Sequence, residues 1–371
     1  MNALDFEWCL EKNLFDLEQE LKTKTYKPGR SICFIVNDPC YREIFAAGFR
    51  DRVVHHLLIK EIIEMGEKRF IFDSFACRKN KGTHLAIKRL KKFFRKATKN
   101  FEKTAFYLQL DISGFFMSID HEILYSILKK MILKQNKSYE WKEDILWLAK
   151  TIIFHKPTDN YIVKGDHSLF KCIPPQKSLF HSSDGKGLPI GNYSSQFFAN
   201  LYLNELDQFI KRDLKCKYYA RYVDDLILIN QSKERLRDMR REITFFIRET
   251  LGLKLNENKT KLQQLEKGID FLGYIVKTYH VLVRQKVVKR MKNKLCLLDN
   301  QEIENFEENK TKEIFSMINS YYGHFSHAFS FNLRKDIYEN HLGKLKEKFS
   351  PKKDYACLTL NKAAHPKIKE K

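Results

Sequence analysis

Three aspartates stand where predicted strands end or turn. Asp111 lies near the end of the run Phe106–Ile112, in which side chains alternate between two faces as in a β-strand. Asp224 and Asp225 lie between two β-prone runs, and this pattern predicts a hairpin with the acidic pair at its tip. If the strand and the hairpin are neighbours, the three carboxylates converge.

Carboxylates gathered in this way would suit the chemistry of phosphates. Mg²⁺ prefers carboxylate oxygens, and nucleotidyl transfer uses two divalent ions about 3.5–4 Å apart, one at the attacking 3′-hydroxyl and one at the triphosphate. Without a cation the three like charges would repel one another. The alternative is that Asp224-Asp225 is an ordinary polar turn, because aspartates are common in turns.

The charge of the chain indicates a polyanionic partner. Its 371 residues include 68 Lys and Arg against 46 Asp and Glu, which gives a formal net charge of +22. The excess is spread along the chain, as expected for a protein that lies along a nucleic acid and releases its counterions. Solubility alone needs less, on the order of 2–8 charges for a small domain. The hydrophobic fraction of 43% argues against a disordered protein.

The sequence predicts a cytoplasmic protein with no membrane partner. Its eight cysteines form no Cys-x-x-Cys pair, so a zinc knuckle is not supported, and scattered thiols suit a reducing compartment. The first 13 residues lack the features of a secretory signal, and no apolar run is long enough to span a bilayer.

Four segments resemble those of reverse transcriptases, in the same order. Tyr222-Val223-Asp224-Asp225 resembles the YxDD box, and residues 110–121 resemble the first catalytic segment. Residues 256–262 are similar to the segment after the YxDD box, and Phe271-Leu272-Gly273-Tyr274 is similar to the primer-grip hairpin. The likeness runs from about residue 26 to 340.

The resemblance implies an α+β, right-hand polymerase fold with fingers, a palm of antiparallel sheet with helices behind it, and a helical thumb. By this likeness residues 1–105 form an N-terminal extension and fingers, and 106–284 form the palm, with an inserted fingers segment at about 135–190. Residues 285–350 would form the thumb, and 351–371 a basic C-terminal tail.

The resemblance also assigns roles at the predicted metal site. Asp111, Ile112, Asp224 and Asp225 would hold two Mg²⁺ ions, with Mn²⁺ as a substitute, and the three aspartates would be catalytic. By its position in the motif, Lys259 would protonate the leaving pyrophosphate. In other enzymes general acid catalysis of this kind raises the reaction rate about 10²–10⁴-fold. The alternative is that Lys259 is a surface lysine.

Arg78 and Lys81 are expected to bind the incoming nucleotide. They lie in residues 76–84, where a glycine among cations suits a loop that closes over a triphosphate. The alternative is a solvated basic loop. Phe116, five positions after Asp111, occupies the family's place for a steric gate that rejects a 2′-hydroxyl; the alternative is core packing.

One segment departs from the usual family pattern. Most reverse transcriptases have Pro-Gln-Gly before a Ser-Pro pair, whereas this chain has Pro189-Ile190-Gly191 and then Ser195-Gln196. With residues 46–56, this form resembles the enzymes of diversity-generating retroelements. Ile190, Gly191 and Gln196 are assigned to the nucleotide site by the same likeness.

The isoleucine has a physical interpretation. A glutamine can donate hydrogen bonds that hold the template or the nucleotide in register, and Ile190 cannot, so we hypothesise that Ile190 contributes to low fidelity. The alternative is that Ile190 only packs under the fingers.

A polar row is a further candidate. Gln196, Asn200 and Asn204 recur at four-residue spacing on a predicted helix and would either line the template path or form a solvated face.

The resemblance implies partners as well. Such enzymes copy a template RNA into cDNA with errors at adenines, which varies a target gene. The expected partners are template RNA, cDNA or primer, dNTPs and an oligomer of a small basic accessory variability protein, in a bacterial cell or encoded by a phage. The alternatives are another bacterial reverse transcriptase (group II intron, retron or antiviral defence), an RNA-dependent RNA polymerase, and an inactive RNA-binding scaffold.

Overall fold

The computed structural model describes residues 3–38, 40–299 and 308–361. Helices and strands are both abundant in these ranges. The α-helices are α1 (Ala3–Trp8), α2 (Leu10–Lys22), α3 (Phe49–Arg69), α4 (Thr83–Ala97), α5 (Phe115–Ser118), α6 (His121–Leu133), α7 (Tyr139–Ile153), α8 (Tyr193–Gln208), α9 (Lys233–Leu251), α10 (Gln285–Asp299), α11 (Glu308–Ser326) and α12 (Phe331–His341).

The strands are short and form several small sheets. They are β1 (Ser31–Val36), β2 (Arg42–Ala46), β3 (Phe106–Asp111), β4 (Tyr161–Lys164), β5 (Tyr218–Tyr222), β6 (Asp225–Asn230), β7 (Lys261–Gln264), β8 (Ile269–Phe271), β9 (Tyr274–Val276), β10 (Val281–Val283), β11 (Phe349–Lys352) and β12 (Cys357–Leu360). The sheet orders are β5-β6-β3-β7, β2-β1-β4, β10-β9-β8 and β11-β12.

The first compact unit contains residues 1–82 and 106–262 and is built on the sheet of β5, β6 and β3. Helix α9 packs on β3 and β6. Its apolar stripe explains this, because Leu236, Ile243 and Ile247 recur at helical spacing and are fully buried. The predicted strand at Asp111 and the predicted hairpin with Asp224-Asp225 at its tip are confirmed.

A smaller sheet in the same unit joins distant parts of the chain. Strand β1 pairs antiparallel with β2 and parallel with β4. β4 lies in the segment that we predicted as inserted fingers, and its pairing with residues 31–34 is compatible with that assignment. The names fingers and palm stay predictions.

The second compact unit contains residues 83–105 and 263–371. Helix α4 packs on β9, and Leu90, Phe93 and Phe94 lie on its buried face. Helices α10, α11 and α12 share one apolar core with β11 and β12. The division differs from our predicted boundaries, because α4, which we placed in the fingers, belongs to the unit that contains the predicted thumb.

Most of the predicted basic tail that the structure describes is a hairpin. Strands β11 and β12 pair antiparallel, and Phe349 and Leu358 are buried in the core of the second unit. Asn319 of α11 also bonds both backbone groups of Leu358. The abundance of lysine concealed this short alternation. Residues 362–371, the rest of the predicted tail, lie outside the described residues.

None of the helices within the described ranges has both the length and the apolar composition that a membrane span requires.

Two helical glycines give a matched test of packing. A Cβ on Gly66 of α3 would lie 2.6 Å from the ring of Phe197, which is itself buried on α8. We expect Gly66→Ala to lower the stability of the protein by about 1–3 kcal/mol, because the two helices cannot separate without losing contacts. Gly323→Ala on α11 meets no atom within 4 Å and should stabilise by about 0.5–1 kcal/mol.

Thermal melting of both variants beside the wild-type protein is the measurement. Equal melting temperatures for the two variants would contradict the close α3–α8 contact.

Candidate active site

The central sheet brings the predicted carboxylates together. Strands β3 and β6 are antiparallel, and their register places Asp111 directly opposite Asp225. Asp224 lies in the two-residue turn between β5 and β6, beside Val223. Leu110 and Leu226, which precede and follow the acidic residues on these strands, are fully buried. The apolar residues thus fix the strand register, and the register fixes the carboxylates.

Asp111 is held by two residues from the segment after α9. Lys259 donates from Nζ to Oδ1 at 2.7 Å, and Asn256 donates from Nδ2 to Oδ2 at 3.1 Å. The backbone N–H of Asn256 also donates to the Asp111 carbonyl at 2.8 Å. Burial lowers the pKa of Lys259, but its hydrogen bond to Asp111 and the nearby charges of Asp225 and Asp224 outweigh this, so the net pKa is raised.

The charges of Asp111 and Lys259 also act on Asp224. Burial raises the pKa of its carboxyl, and the negative charge of Asp111 raises it further, whereas Lys259 and Arg42 oppose the shift. Arg42, exposed at the start of β2, is a cation near the carboxylates that the sequence analysis missed. A lone arginine at the beginning of a strand carries no signal of spacing that would have marked it.

The residues suit a divalent cation in type and charge. Their donors are carboxylate oxygens, which hard cations prefer, and burial together with the charge of Asp111 raises the pKa of Asp224. Among the residues that the structure describes, however, no three His, Cys, Asp or Glu side chains are arranged as a metal cluster. Lys259 occupies Oδ1 of Asp111, and a cation would have to compete with it.

The position of Ile112 is compatible with the predicted binding of a metal ion by its backbone carbonyl. Its side chain is buried, and its position forms an isolated antiparallel bridge with Leu255. The hydrogen bonds of that bridge come from the Asp111 carbonyl and the Ser113 N–H rather than from the carbonyl of Ile112. Its role stays a prediction.

Arg78 requires a correction. Its Nε and Nη2 donate to the carboxylate of Glu67, and its Nη1 donates to the carbonyls of Ile71 and Ser74. The Arg78 side chain is only 6% exposed. The guanidinium therefore fixes its own loop against α3 and is not available to a triphosphate in this arrangement. Its partner Glu67 lies eleven residues earlier in the chain, and no local sequence pattern predicts this contact.

Lys81 lies at the end of the same loop and is partly exposed. Its Nζ donates to the Phe72 carbonyl at 2.8 Å and stands 3.4 Å from the centre of the Phe72 ring. A phosphate contact by Lys81 stays a prediction.

Phe116 and Gln196 meet at one small cavity. Both line a space of about 20 Å³ together with Val223, which precedes Asp224 in the turn, whereas a nucleotide is far larger. Phe116 is also in contact with the main core, so packing and a steric gate are both compatible with its position. Gln196 is exposed at the start of α8.

Ile190 makes the packing contacts that the alternative predicted. Its side chain is partly buried against the cluster that contains Phe45 and Met117, and its carbonyl accepts a hydrogen bond from the Phe45 N–H at 2.8 Å. Gly191 follows with φ of +128°, and a Cβ there would lie 2.8 Å from Ile44. Only glycine therefore allows this close approach to β2.

The predicted template-facing row is wrong at two of its three positions. Asn200 and Asn204 are buried, with 4% and 1% exposure. Asn200 donates to the Ala76 carbonyl, and Asn204 accepts from Gln208. Helix α8 packs on both α3 and α6, which covers the face that four-residue spacing alone left undecided.

The predicted primer-grip residues form a tight hairpin in the second unit. Phe271 pairs with Tyr274 across a turn in which Leu272 and Gly273 have φ of +53° and +86°. The rings of Phe271 and Tyr274 are buried, and Tyr274 stacks on His324 at 4.2 Å. Only the tip, Leu272-Gly273, is partly exposed, so a nucleic acid would meet mainly this turn.

Comparisons with known proteins agree with this geometry. A family model described as reverse transcriptase (RNA-dependent DNA polymerase) matches residues 37–276. The chain is 23% identical over 304 residues to protein YkfC of Escherichia coli K12, which covers 73% of this chain and 71% of YkfC. It is 21% identical over 333 residues to the group II intron-encoded protein LtrA of Lactococcus lactis, which covers 72% of this chain and 50% of LtrA.

A solved structure supports the fold. Apo telomerase from Candida tropicalis matches with a TM-score of 0.50 at 12% identity, over 86% of this chain and 54% of that chain. At this identity the likeness concerns the fold alone. Together with the family model it confirms the predicted α+β, right-hand polymerase fold.

The buried charge of Asp224 predicts a conflict between stability and activity. The folded-state pKa is raised, so the ionised carboxylate increasingly destabilises the metal-free fold as the pH rises through the range in which this carboxyl ionises. We expect Asp224→Asn to raise the melting temperature without metal, by roughly 2 °C. Added Mg²⁺ should stabilise the wild-type protein more than the variant.

Differential scanning calorimetry with and without Mg²⁺ checks this. A lower melting temperature for the metal-free variant would show that Asp224 is not under electrostatic strain.

Proposed function

Since this chain belongs to the reverse transcriptase family of RNA-dependent DNA polymerases, we propose that it copies an RNA template into DNA by nucleotidyl transfer. The observation that carries the proposal is the register of β3 and β6, which sets Asp111 opposite Asp225 with Asp224 in the adjoining turn. Two strands with buried apolar flanks hold these acidic groups against their mutual repulsion. A structural role alone does not require such an arrangement.

Enzymes of this family generally use divalent metal ions. We propose that Asp111, Asp224, Asp225 and the carbonyl of Ile112 hold two Mg²⁺ ions, with Mn²⁺ as a substitute. When bound, the ions would activate the primer 3′-hydroxyl and neutralise the triphosphate. The other residues of the site position the substrate and hold or move protons.

Lys259 is the proposed general acid. Its hydrogen bond to Asp111 is the main contribution that raises its pKa. If Asp111 binds a divalent ion instead of Lys259, the hydrogen bond between them is lost and the pKa of Lys259 falls. The lower pKa makes Nζ a better proton donor to the leaving pyrophosphate. The same side chain would thus stabilise the empty site and assist the reaction.

The nucleotide would be bound by residues from several elements. We propose Arg42 as a triphosphate partner in place of Arg78, because Arg42 acts on Asp224 electrostatically and is exposed, whereas Arg78 is committed to Glu67. Lys81, Gly191 and Gln196 remain proposed contacts. Phe116, which shares a cavity with Val223, is the proposed steric gate against ribonucleotides.

The finer function that we propose is that of a diversity-generating retroelement. In this role the enzyme copies a retroelement template RNA into adenine-mutagenised cDNA, together with an oligomer of a small basic accessory protein. The segment Pro189-Ile190-Gly191 to Gln196 supports this subtype. The similarity to LtrA favours the alternative, a reverse transcriptase of the group II intron type. The charge of +22 suits a long RNA in either case.

Primer extension on an RNA template tests the general activity. The purified protein should incorporate dNTPs in preference to rNTPs when Mg²⁺ is present. Asp111→Asn and Asp224→Asn should each lower the rate by at least about 10³-fold, because an amide oxygen binds a hard cation far less well than a carboxylate.

Asp184→Asn is the matched control, because this side chain is 86% exposed and forms its ion pair with Lys156 on the surface. Undiminished DNA synthesis by the two site variants would overturn the proposed function.

The error spectrum tests the finer proposal. We expect Ile190→Gln to lower misincorporation opposite template adenine several-fold, because the glutamine can donate hydrogen bonds that hold the pairing in register. Ile190→Leu, which is apolar and similar in volume, is the control and should keep the errors. Sequencing of the cDNA products measures both; equal spectra for all three proteins would leave Ile190 with a packing role only.

A further inference from the structure

The turn that carries Asp224 has a strained backbone. Val223 has φ of +56°, in the left-handed region that residues with a Cβ rarely adopt. The strain is greater for a β-branched side chain, and such conformations persist only where the surroundings impose them. Some group must therefore hold the turn in place.

Arg221, two residues earlier, makes the contact that does so. Its Nη1 donates to the Val223 carbonyl at 3.0 Å. Its Nε and Nη2 donate to the two carboxylate oxygens of Asp207 at 2.8 and 2.7 Å, and Tyr219 donates to the same carboxylate at 2.7 Å. The side chains of Arg221 and Asp207 are 0% exposed. Because Asp207 holds Nε and Nη2, the guanidinium is fixed and Nη1 stays in contact with the Val223 carbonyl.

The same guanidinium is joined to the loop before Arg78. Nη1 also donates to Oδ1 of Asn200 at 3.2 Å, and Asn200 donates from Nδ2 to the Ala76 carbonyl at 2.9 Å. The backbone of Arg221 extends the link, because its carbonyl accepts from the Phe75 N–H at 3.0 Å. One buried side chain thus connects the metal-binding turn with the proposed nucleotide-binding loop.

We propose that Arg221 is a positioning residue that holds Val223, and through it Asp224 and Asp225, in the conformation that binds the divalent ions. Asp207 orients the guanidinium, and Asn200 couples it to the loop. This inference rests on the proposed function. Buried ion pairs by themselves are poor evidence of stability, which favours a role in fixing conformation.

Arg221→Lys is the informative substitution. Lysine keeps the charge beside Asp207 but lacks the planar fork that reaches both Asp207 and the Val223 carbonyl. We expect a folded protein whose affinity for Mn²⁺, measured by electron paramagnetic resonance of the bound ion, falls about tenfold. In primer extension kcat should fall about 100-fold, with a higher Mg²⁺ concentration needed for the half-maximal rate.

Arg334→Lys is the matched control. Arg334 is also a buried arginine, in the second unit, and donates to the Tyr355 carbonyl. This variant should lower the melting temperature without changing the affinity for Mn²⁺. If Arg221→Lys also lowers only the melting temperature, the ion pair of Arg221 and Asp207 has a structural role only, and the inference is overturned.

A second substitution makes the test independent of stability. Glycine adopts a positive φ without strain, so Val223→Gly should partly restore kcat in the Arg221→Lys protein although it slows the wild-type enzyme. A loss in both backgrounds would overturn the inference. The Mn²⁺ measurement needs no DNA synthesis, so an inactive wild-type protein would count against the proposed function and leave this test intact.

Discussion

The repulsion among three acidic side chains is the constraint on which this structure depends. Asp111, Asp224 and Asp225 would separate if the backbone allowed it, and the sheet does not allow it. Strands β3 and β6 are anchored by the fully buried pair Leu110 and Leu226, next to the pair Asp111 and Asp225, with α9 packed on both strands. Burial of apolar residues thus supplies the free energy that keeps like charges together. The positive groups near the site, Lys259 and Arg42, then reduce the remaining repulsion.

The site combines a rigid frame with one strained element. The frame consists of α3 and α8, which approach closely at Gly66, and of the paired strands β3 and β6. The strained element is the turn at Val223, which the buried Arg221 restrains. This division is physically sensible, because a strained turn keeps its conformation only when its neighbours cannot move.

Local patterns in the sequence were sufficient for the strand and the hairpin that carry the three aspartates, but not for β4 or for the hairpin of β11 and β12. Alternation predicted β3, and the acidic pair between two β-prone runs predicted the hairpin tip. The errors arose where distant parts of the chain decide the outcome. Arg78 meets Glu67, Asn200 meets the Ala76 carbonyl, and Asn319 meets Leu358. A single sequence shows the donors at these positions but not their partners.

Lys259 gives the idle molecule an internal counter-ion. Its ammonium lies 2.7 Å from Oδ1 of Asp111 and offsets part of the charge of that carboxylate within the chain itself. Under the proposed function, binding of divalent ions would be an exchange in which they displace Lys259 from Asp111.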